Sequence, residues 1–368
     1  MATTSVRPHL IEEADQAEGA SGVVPEVDRL RIALVAPVWL PIPPPAYGGV
    51  EWIVAELAAG LSERGHEVTL VATGGSSAPA SHHVQPYDTP PLGRIGEILP
   101  ELVHAVSAYR HLGDHDVVHD HTVAGPVIAS GTGLRVLHTV HGPLERDVVR
   151  LLGQLDGVDL VAISDHQRST RPDLHWLATV HNAVDVSSFP FRATKDGYLA
   201  TMARMCPDKG IVEAVELART LGMPLAIAAK CHERAEREYF ESRVRPLLGG
   251  DVEYVGELGT HAKKELLAGA TALAFPIQWD EPFGLAIVEA LACGTPVIAT
   301  ARGSVPELVR HGVTGVVADS VASLANRTAE LLDEIDPRAC RADAERRFDV
   351  ARLVRDYERL YGIVARRT

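Results

Sequence analysis

The chain predicts an α/β protein in two halves, each a parallel sheet covered by helices on both faces. Three observations carry this reading. Short apolar runs alternate with helical periodicity along nearly the whole chain. The alternation weakens once, near residues 182–197, and then resumes with the same character. The length of 368 residues suits two domains at roughly 100–200 residues each.

Residues 1–29 are polar and aperiodic, which predicts a disordered tail. Ile32-Ala33-Leu34-Val35-Ala36, ended by Pro37, is the first buried strand. A loop rich in Pro and Gly follows, from Pro41 to Gly49. Ile53, Leu57 and Leu61 then recur every four residues, a helix stopped by Gly65. Further strands are expected at 68–72, 117–119, 136–140 and 160–163, with helical stretches between them. Such continuous apolar runs suit strands buried on both faces of a parallel sheet. The stretch with Asn182, Asp185, Ser187, Pro190, Lys195 and Gly197 reads as the inter-domain linker. The second series has strands at 198–202, 225–229, 252–255, 272–275 and 296–300, and a helix at 212–221. Leu353, Tyr357, Leu360, Tyr361 and Val364 form a last helical stripe. The expected divisions are a tail (1–29), an N-terminal domain (30–186), a C-terminal domain (187–350) and a final helix (351–368).

Composition narrows the function. The net charge of −14 argues against a broad basic surface for nucleic acid. No apolar run reaches the roughly 18 residues of a membrane helix, so no integral membrane segment is expected. Glu12, Glu13, Asp15 and Glu18 stand where a secretion signal would be basic and then apolar. Cys206, Cys231, Cys293 and Cys340 form no C-x-x-C pair, which suits reduced thiols in a cytoplasm.

The most informative segment is Trp279-Asp280-Glu281-Pro282-Phe283-Gly284-Leu285-Ala286-Ile287-Val288-Glu289. Two carboxylates bracket a turn and a fresh helix start. Gly284 permits close approach to the backbone, and the amides of Phe283, Gly284 and Leu285 would offer orphan donors to an anion. The plain alternative is a capped helix with two solvent-facing glutamates. Arg204 and Lys209 share one loop after the first strand of the second half, where open α/β sheets place ligands, and would neutralise a departing diphosphate; the alternative is a surface pair. Gly48 and Gly49 join the first strand to the first helix and allow close approach to phosphate or sugar. The dinucleotide fingerprint is absent: Gly131-Thr132-Gly133 precedes a strand instead of following one. There is no P-loop motif and no H-E-x-x-H zinc motif. His119, His121, His138 and His141 end two expected strands; each is open to catalytic, metal or structural use.

In their order, these elements resemble the large retaining glycosyltransferase family 4, of the GT-B fold. The resemblance runs from about residue 31 to 361. It rests on Gly48-Gly49, Val118-His119-Asp120-His121, His181-Asn182-Ala183-Val184-Asp185, Arg204 with Lys209-Gly210, and the Glu281 to Glu289 segment continued to Ile298. Two departures stand out: Met202-Ala203 before Arg204, where a glycine is common, and Arg302 in Ala301-Arg302-Gly303-Ser304, where a second small residue is common.

The resemblance implies two Rossmann-like domains facing a central cleft, with the final helix crossing back to the first. It implies that Glu281 faces the donor sugar's hydroxyls and Glu289 holds the ribose. The amides of Phe283, Gly284 and Leu285 would contact the diphosphate and sugar, with Arg204 and Lys209 balancing the leaving group. Gly49 would approach from the opposite domain, and His121 would meet the sugar near its reacting carbon. The expected activity is retaining transfer, without a metal or other cofactor, from a nucleoside-diphosphate sugar (UDP favoured) to a soluble acceptor. The other readings are a nucleotide-sugar 2-epimerase of the same fold, which needs no acceptor, and a non-catalytic nucleotide-sugar-binding protein.

Overall fold

The structure is a computed structural model, and it describes residues 29–367. Apart from Arg29, the expected disordered tail lies outside the described residues. Among the described residues, thirteen strands form two all-parallel sheets. The first contains β1 (Arg31–Val35), β2 (Glu67–Val71), β3 (His82–Val84), β4 (Val117–Asp120), β5 (Val136–Val140), β6 (Val158–Ala162) and β7 (Trp176–Thr179), in the order β3-β2-β1-β4-β5-β6-β7. The second contains β8 (Leu199–Arg204), β9 (Leu225–Lys230), β10 (Val252–Gly256), β11 (Ala272–Phe275), β12 (Val297–Thr300) and β13 (Gly315–Ala318), in the order β10-β9-β8-β11-β12-β13.

The helices of the first half are α1 (Gly49–Glu63), α2 (Ile98–Tyr109), α3 (Ala124–Ala129), α4 (Arg146–Leu152) and α5 (Asp165–Thr170). The second half has α6 (Ile211–Leu221), α7 (Arg234–Tyr239), α8 (Thr260–Gly269), α9 (Leu285–Ala292), α10 (Val305–Leu308), α11 (Val321–Leu331), α12 (Pro337–Arg347) and α13 (Val350–Ala365).

Strand order locates the site. In the first sheet the chain runs outward from β1 to β3 and returns beside β1 at β4; in the second, β8 and β11 are the corresponding neighbours. At such reversals the loops leaving the carboxyl ends of the strands part and leave a crevice. The loop after β1 ends at Gly48, Gly49 opens α1, and His121 follows β4 directly. Arg204 ends β8, and the loop after β11 carries Glu281.

The last helix, α13, packs on the first sheet. Leu353, Tyr357 and Tyr361 are buried with Ile32, Leu34, Leu57 and Leu61 in one cluster. The approach is close: a Cβ on Gly60 of α1 would lie 2.5 Å from Val354 Cγ2. Arg64 pairs with Glu358 at 2.6 Å, and the Tyr361 hydroxyl lies 2.7 Å from His119 Nδ1. Three strands were not expected from sequence: β3, β7 and β13. β3 and β7 are edge strands with little buried surface, so they lack the apolar run that marks the central strands.

Candidate active site

On the second sheet, β8 delivers Arg204 to the rim, and the chain turns through Pro207–Lys209. Gly210 closes the turn at φ 68, and a Cβ there would run into the carbonyl of Pro276. Only glycine satisfies both the backbone angle and that contact. The turn brings Lys209 under the loop after β11, where Gln278 N donates to Asp208 O at 2.8 Å.

Lys209 Nζ then lies 2.5 Å from Glu281 Oε2 and 4.6 Å from the centroid of the Trp279 ring. Trp279 Nε1 donates to the same oxygen at 2.9 Å. Glu281 is only 8% exposed, which excludes the solvent-facing alternative for this residue. Its Oε1 has no protein partner among the described residues. The loop is clasped from beyond β12: Ser304 N donates to Glu281 O at 2.9 Å and Ser304 Oγ to Phe283 O at 2.6 Å. A Cβ on Gly303 would collide with the backbone of Glu281. Arg302, the departure noted in this turn, is exposed.

Gly284 is the N-cap of α9, at φ 91. The Phe283 side chain is buried against His181 and Phe348, with ring centroids 5.8 and 6.2 Å away. The amides of Phe283, Gly284 and Leu285 find no acceptor among the described residues, as expected of a helix start. Glu289 sits one turn after Leu285 on the same face of α9 and is half-buried. Lys263 of α8 holds its Oε1 at 2.5 Å.

Lys230 was not anticipated. It ends β9 in register with Arg204, so two cations stand side by side at the rim. The signal was available, since both residues end apolar strand runs of the second half. Lys230 pairs with Glu233 at 2.8 Å and lies 5.6 Å from the Tyr47 ring of the first half. Arg204 forms no salt bridge among the described residues.

The first sheet supplies the facing wall. Gly48, at φ 143, caps α1; a Cβ there would lie 2.8 Å from Pro44 and 3.0 Å from Glu51 Oε2. At Gly49 a Cβ would come within 2.8 Å of Leu285 Cδ1. The glycine loop of one half therefore touches the helix start of the other, and the two rims face each other. Glu51, in the first turn of α1, is 7% exposed, and burial raises its carboxyl to about 7.

His121 is buried beyond β4. Its Nδ1 lies 2.8 Å from His141 Nε2, its ring 4.0 Å from that of His119, and its Nε2 has no partner. Burial, then neighbouring imidazoles, hold His119 and His121 well below the usual range; the same causes bring His141 to about 3. His138 falls to about 4 by burial. The four rings are thus neutral, and His121 Nε2 offers a hydrogen bond instead of a charge. Asp120 shapes this turn. It accepts from Thr122 N at 2.7 Å and from the Tyr109 hydroxyl at 2.8 Å, and a Cβ on Gly125 would collide with it.

A second seam joins the halves behind this site. Glu307 accepts from the amides of Asp165 (2.9 Å) and His166 (3.2 Å) at the start of α5 and lies 3.2 Å from His181 Nε2. Arg352 donates to the carbonyls of His181 and Asn182 at 2.8 and 3.2 Å. Asp165, His181 and Glu307 form the one converging set of metal-type ligands among the described residues, and the Glu307 carboxylate is already engaged. No described helix is long and apolar enough to cross a membrane.

Two Rossmann-like domains meeting at a central cleft define the GT-B architecture of glycosyltransferases. Residues 47–202 match the family description Glycosyltransferase Family 4, and residues 187–347 match Glycosyl transferases group 1. The chain belongs to glycosyltransferase family 4. It is 26% identical to a phosphatidyl-myo-inositol mannosyltransferase of Mycolicibacterium smegmatis, over 90% of this chain and 95% of that one. A glycosyltransferase involved in avilamycin A biosynthesis is 27% identical, with a TM-score of 0.71 over 91% of this chain and 98% of its own. Anabaena HepE in complex with UDP and glucose shares the fold, with a TM-score of 0.68 at 18% identity over 90% and 99% of the two chains.

Proposed function

We propose that this glycosyltransferase moves a sugar from a nucleoside-diphosphate sugar, with UDP favoured, to a hydroxyl of a soluble acceptor, with retention of anomeric configuration. The observation that supports this best is the meeting of the two rims at Gly49 and Leu285. Around it stand an orphan helix start, the cations Arg204 and Lys209, and the two separately anchored glutamates.

Departure of a nucleoside diphosphate builds negative charge on phosphate oxygens. The amides of Phe283, Gly284 and Leu285 and the guanidinium of Arg204 would stabilise it without reorganising. Lys209 would share its charge between the leaving group and Glu281, fixing that carboxylate toward the sugar's hydroxyls. Glu289 would take the ribose hydroxyls in place of Lys263. Gly48 and Gly49 would let the first domain close on the phosphates. His121 Nε2 would accept from or donate to a sugar hydroxyl near the reacting carbon, as a neutral imidazole suits. The carboxylates of the first-domain wall are buried and engaged: Asp120 accepts hydrogen bonds within its turn, and burial keeps Glu51 protonated below about pH 7. Neither supplies an evident nucleophile, which favours attack on the face the leaving group departs from. UDP is favoured on family grounds, and the Anabaena fold neighbour is in complex with UDP and glucose.

The test is turnover of UDP-glucose with and without an added acceptor, with product configuration read by proton NMR. Transfer that requires acceptor and keeps the donor's anomeric configuration is expected. Acceptor-independent epimerisation, or an inverted product, overturns the proposal. Lys209→Ala and Glu281→Ala should each lower turnover by about 10²–10³-fold with the fold retained.

A further inference from the structure

Helix α2 leaves most of its large apolar side chains in solvent and packs inward through small ones. Ile98, Leu102 and Val106 recur every four residues, and Leu99 and Val103 do the same on the adjacent strip. Four of these five side chains are exposed, Ile98 and Leu99 by 58% and 59%. The buried side holds the small apolar residues Pro100, Ala105 and Ala108 and one histidine. His104 is fully buried, its Nε2 3.0 Å from Ala36 O, and burial lowers its imidazole to about 4. Glu101 reaches across to accept from the amides of Val123 (2.6 Å) and Ala124 (3.2 Å). An ordinary surface helix turns its large apolar side chains to the core and its polar ones to solvent.

The Glu101 contact joins α2 to the start of α3, and exposed Val123, the N-cap, and Val127 of α3 extend the apolar face. Leu92 and Ile95, in the loop leading to α2, add two more exposed apolar side chains. A contiguous apolar patch of this kind on a folded domain marks a binding surface. Its position identifies what it binds. Val123 is two residues from His121, past the carboxyl end of β4, and Glu101 of α2 accepts from its amide. The face therefore begins at the mouth of the cleft, beside the imidazole placed at the reacting carbon.

Its charge discriminates among occupants. Neither α2 nor α3 contains a lysine or arginine, and Arg94 is paired with Glu97 at 2.8 Å. A helix that docks on an anionic bilayer carries several basic residues beside its apolar strip, and this one has a single cation in line with it, Arg110 at the C-cap.

We propose that the acceptor is a soluble molecule with a hydrophobic aglycone, seated on the α2–α3 face with its accepting hydroxyl directed toward His121. This rests on the transfer reading above and names the acceptor's chemical class. The face accounts for recognition of the aglycone, and the cleft accounts for the chemistry.

The experiment is calorimetric titration of the full chain, with UDP present, using methyl, butyl, hexyl and octyl β-D-glucosides below their micelle concentrations. Each methylene that is buried should tighten binding about fourfold, so octyl glucoside should bind at least about tenfold tighter than butyl glucoside. Leu99→Ser with Val103→Ser should remove most of that gain and leave methyl glucoside unaffected. Val123→Ser is an independent variant at the N-cap of α3, and Ile363→Ser, at an exposed site on α13, should change nothing. Affinity independent of chain length overturns the proposal, as does an equal loss in the Ile363 variant. Binding to phosphatidylcholine vesicles that the double variant abolishes would assign the face to a bilayer, and a dimer that it dissociates would assign the face to a second copy; either overturns the proposal. UDP-induced stabilisation, read in the same samples, is separate. Its absence defeats the donor reading whatever the glucosides do.

Discussion

Replacing Glu51 by Gln should make the protein more stable, and only at higher pH. Glu51 is buried in the first turn of α1, directly behind Gly48, and burial holds its carboxyl at about 7 against an ordinary 4.5. Between those values the folded chain keeps a proton that the unfolded chain has released. Stability therefore falls as pH rises from 4.5 and stops falling above about 7. At about 1.4 kcal/mol for each pH unit separating the two values, the full loss is about 3 kcal/mol. Gln reproduces the neutral acid and does not titrate. The variant should match the wild type near pH 4.5 and exceed it by up to about 3 kcal/mol at pH 8. Urea denaturation at pH 4.5, 6 and 8 measures this directly. Asp120, which burial also raises to about 7, contributes a similar slope to both proteins and cancels in the comparison. A stability difference that does not change with pH, or a variant weaker than wild type at pH 8, refutes the assignment of a buried, protonated Glu51.

Further outcomes follow from the contacts between the halves. Gly49→Val places methyl groups where Leu285 Cδ1 lies. It should raise the donor KM at least about tenfold, and Leu285→Ala in the same chain should restore part of the loss; strictly additive effects in that double-mutant cycle would show that the two residues do not meet. Glu307→Ala removes the acceptor of two α5 amides and the partner of His181. It should cost about 1–3 kcal/mol in denaturant, and a cost near zero would mean that this seam does not hold the halves.

Much of the fold was legible because central strands of a parallel sheet are apolar on both faces, and the chain announces them as unbroken runs. The edge strand His82–Val84 makes no such announcement, with two exposed histidines, and β13 is a short segment begun by glycine. The site was legible where it is local. Glu281, Gly284 and Glu289 lie within a few residues of one another, and the turn between them requires a glycine at its left-handed position. Pairings between distant segments were not legible. Lys209 and Glu281 are 72 residues apart, and Lys263 reaches Glu289 from a helix whose sequence gives no hint of it. The histidines show the same limit. Their spacing was visible, but their neutrality comes from burial among one another, which only the packed structure supplies. The exposed apolar side of α2 is a further case. Its apolar residues recur every four positions, and nothing in that spacing says which face meets solvent.

The central claim is that the second domain holds a nucleoside diphosphate between the start of α9 and the rim cations. A thermal-shift panel of UDP, GDP, ADP and dTDP, with and without their sugars, tests it most directly. A nucleotide that binds only the folded state at about 100 times its Kd adds about 2.7 kcal/mol of apparent stability, a shift of several degrees for domains of this size. The account predicts such a shift with UDP in the wild type and its loss in Glu289→Ala. No shift with any of the four diphosphates, or one that Glu289→Ala leaves unchanged, contradicts it.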